Sequence, residues 1–147
     1  MLYQPWCDRH VEEEDNKQLW RLAERNGGRA AIEADLTTCI RSHYDNLDQI
    51  AEDVRELGYP GAAAILSERM PRSARARSGE LGEILATELV EEHLEFKVPV
   101  RRLRYKDGRE MALRGDDFVG VRLDAQANLH FLKGESKSRA NLAKTTI

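Results

Sequence analysis

The stretch DFVGVRLDAQANLHFLKGE, residues 117–135, constrains the fold more than any other part of the chain. Two runs alternate apolar and polar residues, as half-buried strands do, and AQAN between them reads as a short hairpin loop. Centring the turn on Gln126 pairs residues whose numbers sum to 252. Val119 then faces Lys133, Val121 faces Phe131, Leu123 faces Leu129 and Asp117 faces Glu135. These odd-numbered residues share one side of the ribbon, and Lys137 follows on it. The register predicts an apolar inner face whose open end carries Asp117, Glu135 and Lys137. A slip of one residue would move one strand's set to the wrong side.

Two carboxylates side by side repel each other in water-poor surroundings unless a cation lies between them. Mg²⁺ or Mn²⁺ suits such a pair, since Mg²⁺ takes a few carboxylates, waters and phosphate oxygens. A bound ion can acidify a water and offset charge on a phosphate, and an adjacent lysine can orient or deprotonate the attacking water. The alternative is a set of ordinary solvated charges at a strand end. A further acid can come from SGELGE, where Glu80 and Glu83 are neighbours on a helix beside its apolar stripe. Both also suit the positive end of the helix dipole, which alone would explain them.

Upstream, EEEDNKQLWRLAERNGG, RAAIEADLTTCIRSHY and NLDQIAEDVRELGYPG each space apolar residues for a helix, the first ending at Gly27-Gly28. The third starts at an Asn46 or Asp45 cap and stops at Gly58 before Pro60. GAAAILSERM predicts a further short helix. PRSARARS is basic and aperiodic and reads as a linker or mobile loop. A helix capped by Ser78 follows, with Leu81, Ile84, Leu85 and Leu89 as its stripe. EFKVPVRRLRY is a strand candidate in which Pro99 argues for an edge or a bulge. KDG is a turn, and SRANLAKTTI opens a new helix. The division expected is a helical N-terminal region, residues 1–71, and an α/β region, residues 72–147.

With 147 residues the chain suffices for a domain with a proper core. No stretch is apolar enough to span a bilayer, and the first residues lack the pattern of a secretory signal. Two cysteines are too few for a disulfide scaffold, so a cytoplasmic protein without a membrane partner is expected. The net charge of −3 is unevenly spread. Residues 1–70 carry 8 Lys/Arg against 14 Asp/Glu, and residues 71–147 carry 15 against 12. A basic C-terminal half permits a polyanionic partner.

The succession of a helix with Glu, a strand with Gly-x-Asp (Gly115, Asp116, Asp117), a strand with Glu-x-Lys (GESK) and a helix resembles the PD-(D/E)xK nuclease superfamily. More narrowly, ELGYPGAAAIL, RSGELGEILATELVEEHL, ALRGDDFVGV and LKGESKSR resemble the HamA family, the nuclease subunit of the Hachiman antiphage system, over about residues 45–147. The resemblance implies a restriction-endonuclease-like core: a helix, a three-stranded antiparallel meander and the start of a second helix. It implies Mg²⁺-dependent (or Mn²⁺-dependent) DNA cleavage controlled by a HamB-like helicase, for which the N-terminal region is a natural contact. Asp117, Glu135 and Glu83 would bind metal and Lys137 would serve the attacking water. Glu83 is preferred to Glu80 because it lies four residues after Gly79. Asp117 is preferred to Asp116 for the Gly-x-Asp pattern and the register. The superfamily core continues with a fourth strand beyond the point where NLAKTTI ends, so a C-terminally truncated chain is expected.

Two other functions are open to the sequence. A nuclease shape without activity could bind a helicase or DNA. Cys7, His10, Cys39 and His43 offer zinc-type ligands, against the simpler reading of Cys39 as a small hydrophobe on a helix stripe. Arg72, Arg75 and Arg77 could hold phosphates or be a solvated loop. His93 and His130 read as structural or exposed, Trp6 and Trp20 as packing residues.

Overall fold

The computed structural model of the chain describes residues 1–106, 108–110 and 114–139. It is a mixed α/β protein with two small antiparallel sheets, β1-β2 and β3-β4. The chain divides into two compact units, Met1–Cys39 and Ile40–Ile147.

In the first unit a single helical turn, α1 (Tyr3–Trp6), leads into a hairpin of β1 (Cys7–Glu14) and β2 (Lys17–Glu24). The spacing of Leu19, Trp20 and Leu22 predicts a helix here, and the hairpin replaces it. Asp15 takes a left-handed backbone (φ 52°) in a two-residue loop, a conformation Asp tolerates. The strands then pair from Cys7↔Glu24 to Glu14↔Lys17, with Val11 opposite Trp20. Tyr3 stacks on Trp6 with ring centroids 5.8 Å apart. Helix α2 (Gly28–Tyr44) starts against that pair, and only a glycine fits at residue 28, where a Cβ would run into the Trp6 carbonyl. Cys7 is buried and His10 exposed beside Glu12. Three residues apart on a strand, they point to opposite faces and cannot share a metal.

In the second unit α3 (Leu47–Arg69) is capped by Asn46, whose side chain accepts from the Gln49 amide at 2.6 Å. The expected break is present: Gly58 is non-helical (φ 73°, ψ 169°), two residues before Pro60. Helix α4 (Ala74–His93) starts earlier than the Ser78 cap predicts. Ser73 caps it, and the Glu110 carboxylate accepts from the Arg72 and Ser73 amides and the Ser73 hydroxyl. PRSARARS is therefore largely helix rather than a loop. Its solvated arginines give no apolar periodicity, and the cap is completed by a residue distant in sequence.

The expected meander is a two-stranded sheet, β3 (Phe118–Leu123) with β4 (Leu129–Gly134), plus one bridge between Lys97 and Val121. The preceding segment does not extend into a third strand. Pro99 has no amide hydrogen to give, and the Val98 amide donates instead to Glu91 of α4 at 2.7 Å. A 3-10 turn, Arg102–Tyr105, follows. The β3-β4 register is the one derived above, with Val119↔Lys133, Val121↔Phe131 and Leu123↔Leu129. The face is reversed. Even-numbered Phe118 and Leu132 join Val90, Val98, Ala86, Leu94 and Phe96 in the core, while Val119, Leu123, Leu129 and Phe131 are exposed. Glycines explain the reversal. A Cβ at Gly134 would collide with the Phe118 ring, and one at Gly120 would lie 3.0 Å from Phe96 Cβ. The even face holds aromatic rings because glycines leave them room. The helix expected from SRANLAKTTI falls mostly on residues 140–147, outside the described residues. No described helix is long and apolar enough to cross a membrane.

Candidate active site beside helix α4

Residues four apart on a helix share a face, and Arg75, Gly79 and Glu83 form such a row along α4. They line one wall of a cavity of about 430 Å³. Leu103, Lys106, Asp117 and Ser136 line it too.

Asp117 sits just before β3, after Gly115 has turned the chain with φ 98°. Its amide donates to the Gly134 carbonyl at 3.0 Å. One carboxylate oxygen accepts from the Ser136 amide, and the other lies 3.4 Å from an Arg102 guanidinium nitrogen. Arg102 also donates to the carbonyls of Asp116 and Arg114 and so grips the loop that carries Asp117. Asp116 lies further out, paired with Lys133 at 3.0 Å.

The two helix acids differ in the same way. Glu80 is neutralised by Lys106 and accepts from the Tyr44 hydroxyl at 2.6 Å. Burial and that hydrogen bond push the Tyr44 hydroxyl pKa well up. Glu83 has no hydrogen-bond partner among the described residues. Burial pushes its pKa up to about 7. The Arg102 charge opposes the rise, and the charges of Asp117 and Glu80 add to it. A half-buried carboxyl held near neutrality beside a second carboxylate is the electrostatic condition that a cation relieves.

Of the four site residues expected from sequence, the structure brings Glu83 and Asp117 together on the cavity wall. Glu135 and Lys137 are also together, but as an exposed ion pair with each other. Beyond Gly134 the chain stays extended and alternates. Ser136 and Ser138 face α4, Ser138 Oγ lying 2.5 Å from Ser78 Oγ, while Glu135 and Lys137 point away. Sequence reasoning missed Arg102, Lys106 and Tyr44. Lys106 stands in what reads only as a turn, and nothing local reveals its reach to Glu80. His43 is bound to Glu88 at 2.9 Å within the second unit.

The HamA family model matches residues 1–147, the whole chain, including the first 40 or so residues in which no motif is legible. No curated protein matches it.

Proposed function

Because the chain belongs to the HamA family, which implies a role in antiphage defence, we propose that it is a divalent-metal-dependent DNA nuclease. The observation that carries this reading is that Glu83 and Asp117 line the same cavity close enough for their charges to act on each other, one of them without a hydrogen-bond partner among the described residues. The donor set fits a hard cation: two carboxylates in a cavity with room for waters and a phosphate. Glu83 and Asp117 would hold Mg²⁺ or Mn²⁺, which when bound acidifies a coordinated water and offsets charge on the phosphate.

The chain's own residues supply the rest. Arg102 and the Ser136 amide fix the Asp117 carboxylate, and Lys106 takes up the charge of Glu80, leaving Glu83 as the uncompensated acid. Glu135 and Lys137 flank Ser136, which lines the cavity. We assign them to the same reaction through a twist of the segment after Gly134 that turns its odd residues inward. Lys137 would then orient or deprotonate the attacking water, and Glu135 would join the carboxylates. A HamB-like helicase, engaged through residues 1–71, would control the cleavage, and the setting would be the cytoplasm.

Plasmid cleavage by the purified protein, with and without its helicase partner, tests the proposal. Cleavage should require Mg²⁺ or Mn²⁺, stop with a chelator, and fall at least ~100-fold in Glu83→Gln, Asp117→Asn and Lys137→Ala. One observation favours a second reading, a binding module that does not cut: Glu135 and Lys137 satisfy each other on the outer face. Under that reading every variant binds partner and DNA as the parent does, and no cation elicits cleavage.

A further inference from the structure

Helix α4 contains two glycines, and among the described residues only one of them is packed against a neighbour. A Cβ at Gly82 would lie 2.7 Å from Ser136 Oγ, so the extended segment beside α4 packs into the space this glycine leaves. A Cβ at Gly79 would meet nothing within 4 Å. A glycine inside a helix weakens it relative to alanine, and at Gly79 no group among the described residues makes use of the space left. That space opens on the cavity, between Arg75 one turn before and Glu83 one turn after. Arg75 is exposed and makes no hydrogen bond or ion pair among the described residues.

The row is polarised. Its first end carries an unpaired guanidinium near the helix N-terminus, and its last end carries Glu83 opposite Asp117. Arg75 and Glu83 are eight residues apart, about 12 Å along the axis. A stacked strand advances roughly 3.4 Å per nucleotide, so the row spans about three nucleotides. A phosphodiester backbone suits both ends, held by Arg75 directly and by the Glu83–Asp117 pair through a divalent ion. The bare helix at Gly79 lets the strand pass close to the α4 backbone.

We propose that the Arg75–Gly79–Glu83 face of α4 is the track for one DNA strand, with Arg75 holding a phosphate about three nucleotides from the site of cleavage. This inference rests on the nuclease reading and adds to it the path and polarity of the substrate. Arg75 is a positioning residue: it reaches substrate away from the reacting atoms.

The test is fluorescence anisotropy of a labelled DNA oligonucleotide against full-length protein, in Ca²⁺ and over a range of salt, alongside thermal melts. Arg75→Ala should weaken binding about five- to tenfold and lower the slope of log K against log salt by ~0.7–0.9, the loss of one phosphate contact. Arg77→Ala, which lies off the cavity, should do less. Gly79→Ala should raise the melting temperature by a few degrees through helix propensity. Gly79→Gln should melt no lower than the parent and bind at least tenfold more weakly. A stabilised helix that binds worse is not what a structural role for Gly79 produces. Binding and salt slope unchanged in Arg75→Ala and Gly79→Gln, in a protein whose parent binds and cuts DNA, would overturn this inference alone. A parent protein that binds no DNA overturns the nuclease proposal and this inference with it.

Discussion

Glu83 can be tested without any substrate. Its folded carboxyl holds a proton up to about pH 7, against a reference value of 4.5, chiefly because it is buried. Between those values the folded state binds more protons than the unfolded state, so stability falls as pH rises through that window. The contribution is complete below the unfolded value and lost above the folded one. Glu83→Gln cannot ionise and should escape the loss. Thermal melts should coincide for parent and variant at about pH 4.5 and separate towards pH 8, the variant melting higher. Curves that stay parallel across the range would show that Glu83 ionises as an exposed acid does. At this scale the sequence was informative where chemistry is local. Gly115 before Asp117 and the helical spacing of Gly79 and Glu83 are visible in the letters. The pairing that separates Glu80 from Glu83 is not, because it depends on Lys106 and Tyr44, which meet Glu80 across 26 and 36 residues.

At the scale of elements, register and facing are separate problems, and alternation solves only the first. The β3-β4 pairs follow from the turn centre, whereas the choice of inner face turned on Gly120 and Gly134. An apolar count undervalues both glycines, although they make room for Phe96 and Phe118. The faces can be told apart by mutation. Phe118→Ala should cost about 3–5 kcal/mol, as for a core aromatic, while Phe131→Ala should cost under about 1 kcal/mol, the worth of a cross-strand pair. Urea unfolding with an unchanged m-value measures both, and equal costs would contradict the facing described. The start of α4 carries a similar lesson. Ser73 and Ser78 are both capping residues by type, and Glu110 decides between them. Ser73→Ala should therefore cost ~1 kcal/mol, and Ser78→Ala clearly less, in the same unfolding assay. The β1-β2 hairpin was not legible because Leu19, Trp20, Leu22 and Ala23 fit a helical period better than an alternating one, and the turn that overrides it rests on the left-handed backbone of Asp15.

At the scale of the molecule, charge is divided between an acidic first half and a basic second half, and the cavity with its acids belongs to the second compact unit. A ligand that binds only the folded form stabilises it by mass action, about 2.7 kcal/mol at a hundredfold excess over Kd. For a protein of this size that is roughly 5–10 °C in Tm. Mn²⁺ should therefore raise the melting temperature, and more at about pH 8 than at pH 6, because Glu83 must lose its proton to become a ligand. Far-UV ellipticity is the signal to follow. Both tryptophans, Trp6 and Trp20, lie in Met1–Cys39, so their fluorescence reports on the other unit. Asp117→Asn should abolish the shift. Glu135→Ala separates the two arrangements open to the Glu-x-Lys segment. If Glu135 stays on the outer face with Lys137, the Mn²⁺ shift survives the substitution intact. If the segment after Gly134 twists to bring Glu135 to the ion, the shift shrinks although the exposed Glu135 carboxylate contributes nothing to the fold without it. The second outcome is the one the proposed reaction requires, and a full Mn²⁺ shift in Glu135→Ala would confine ion binding to Glu83 and Asp117.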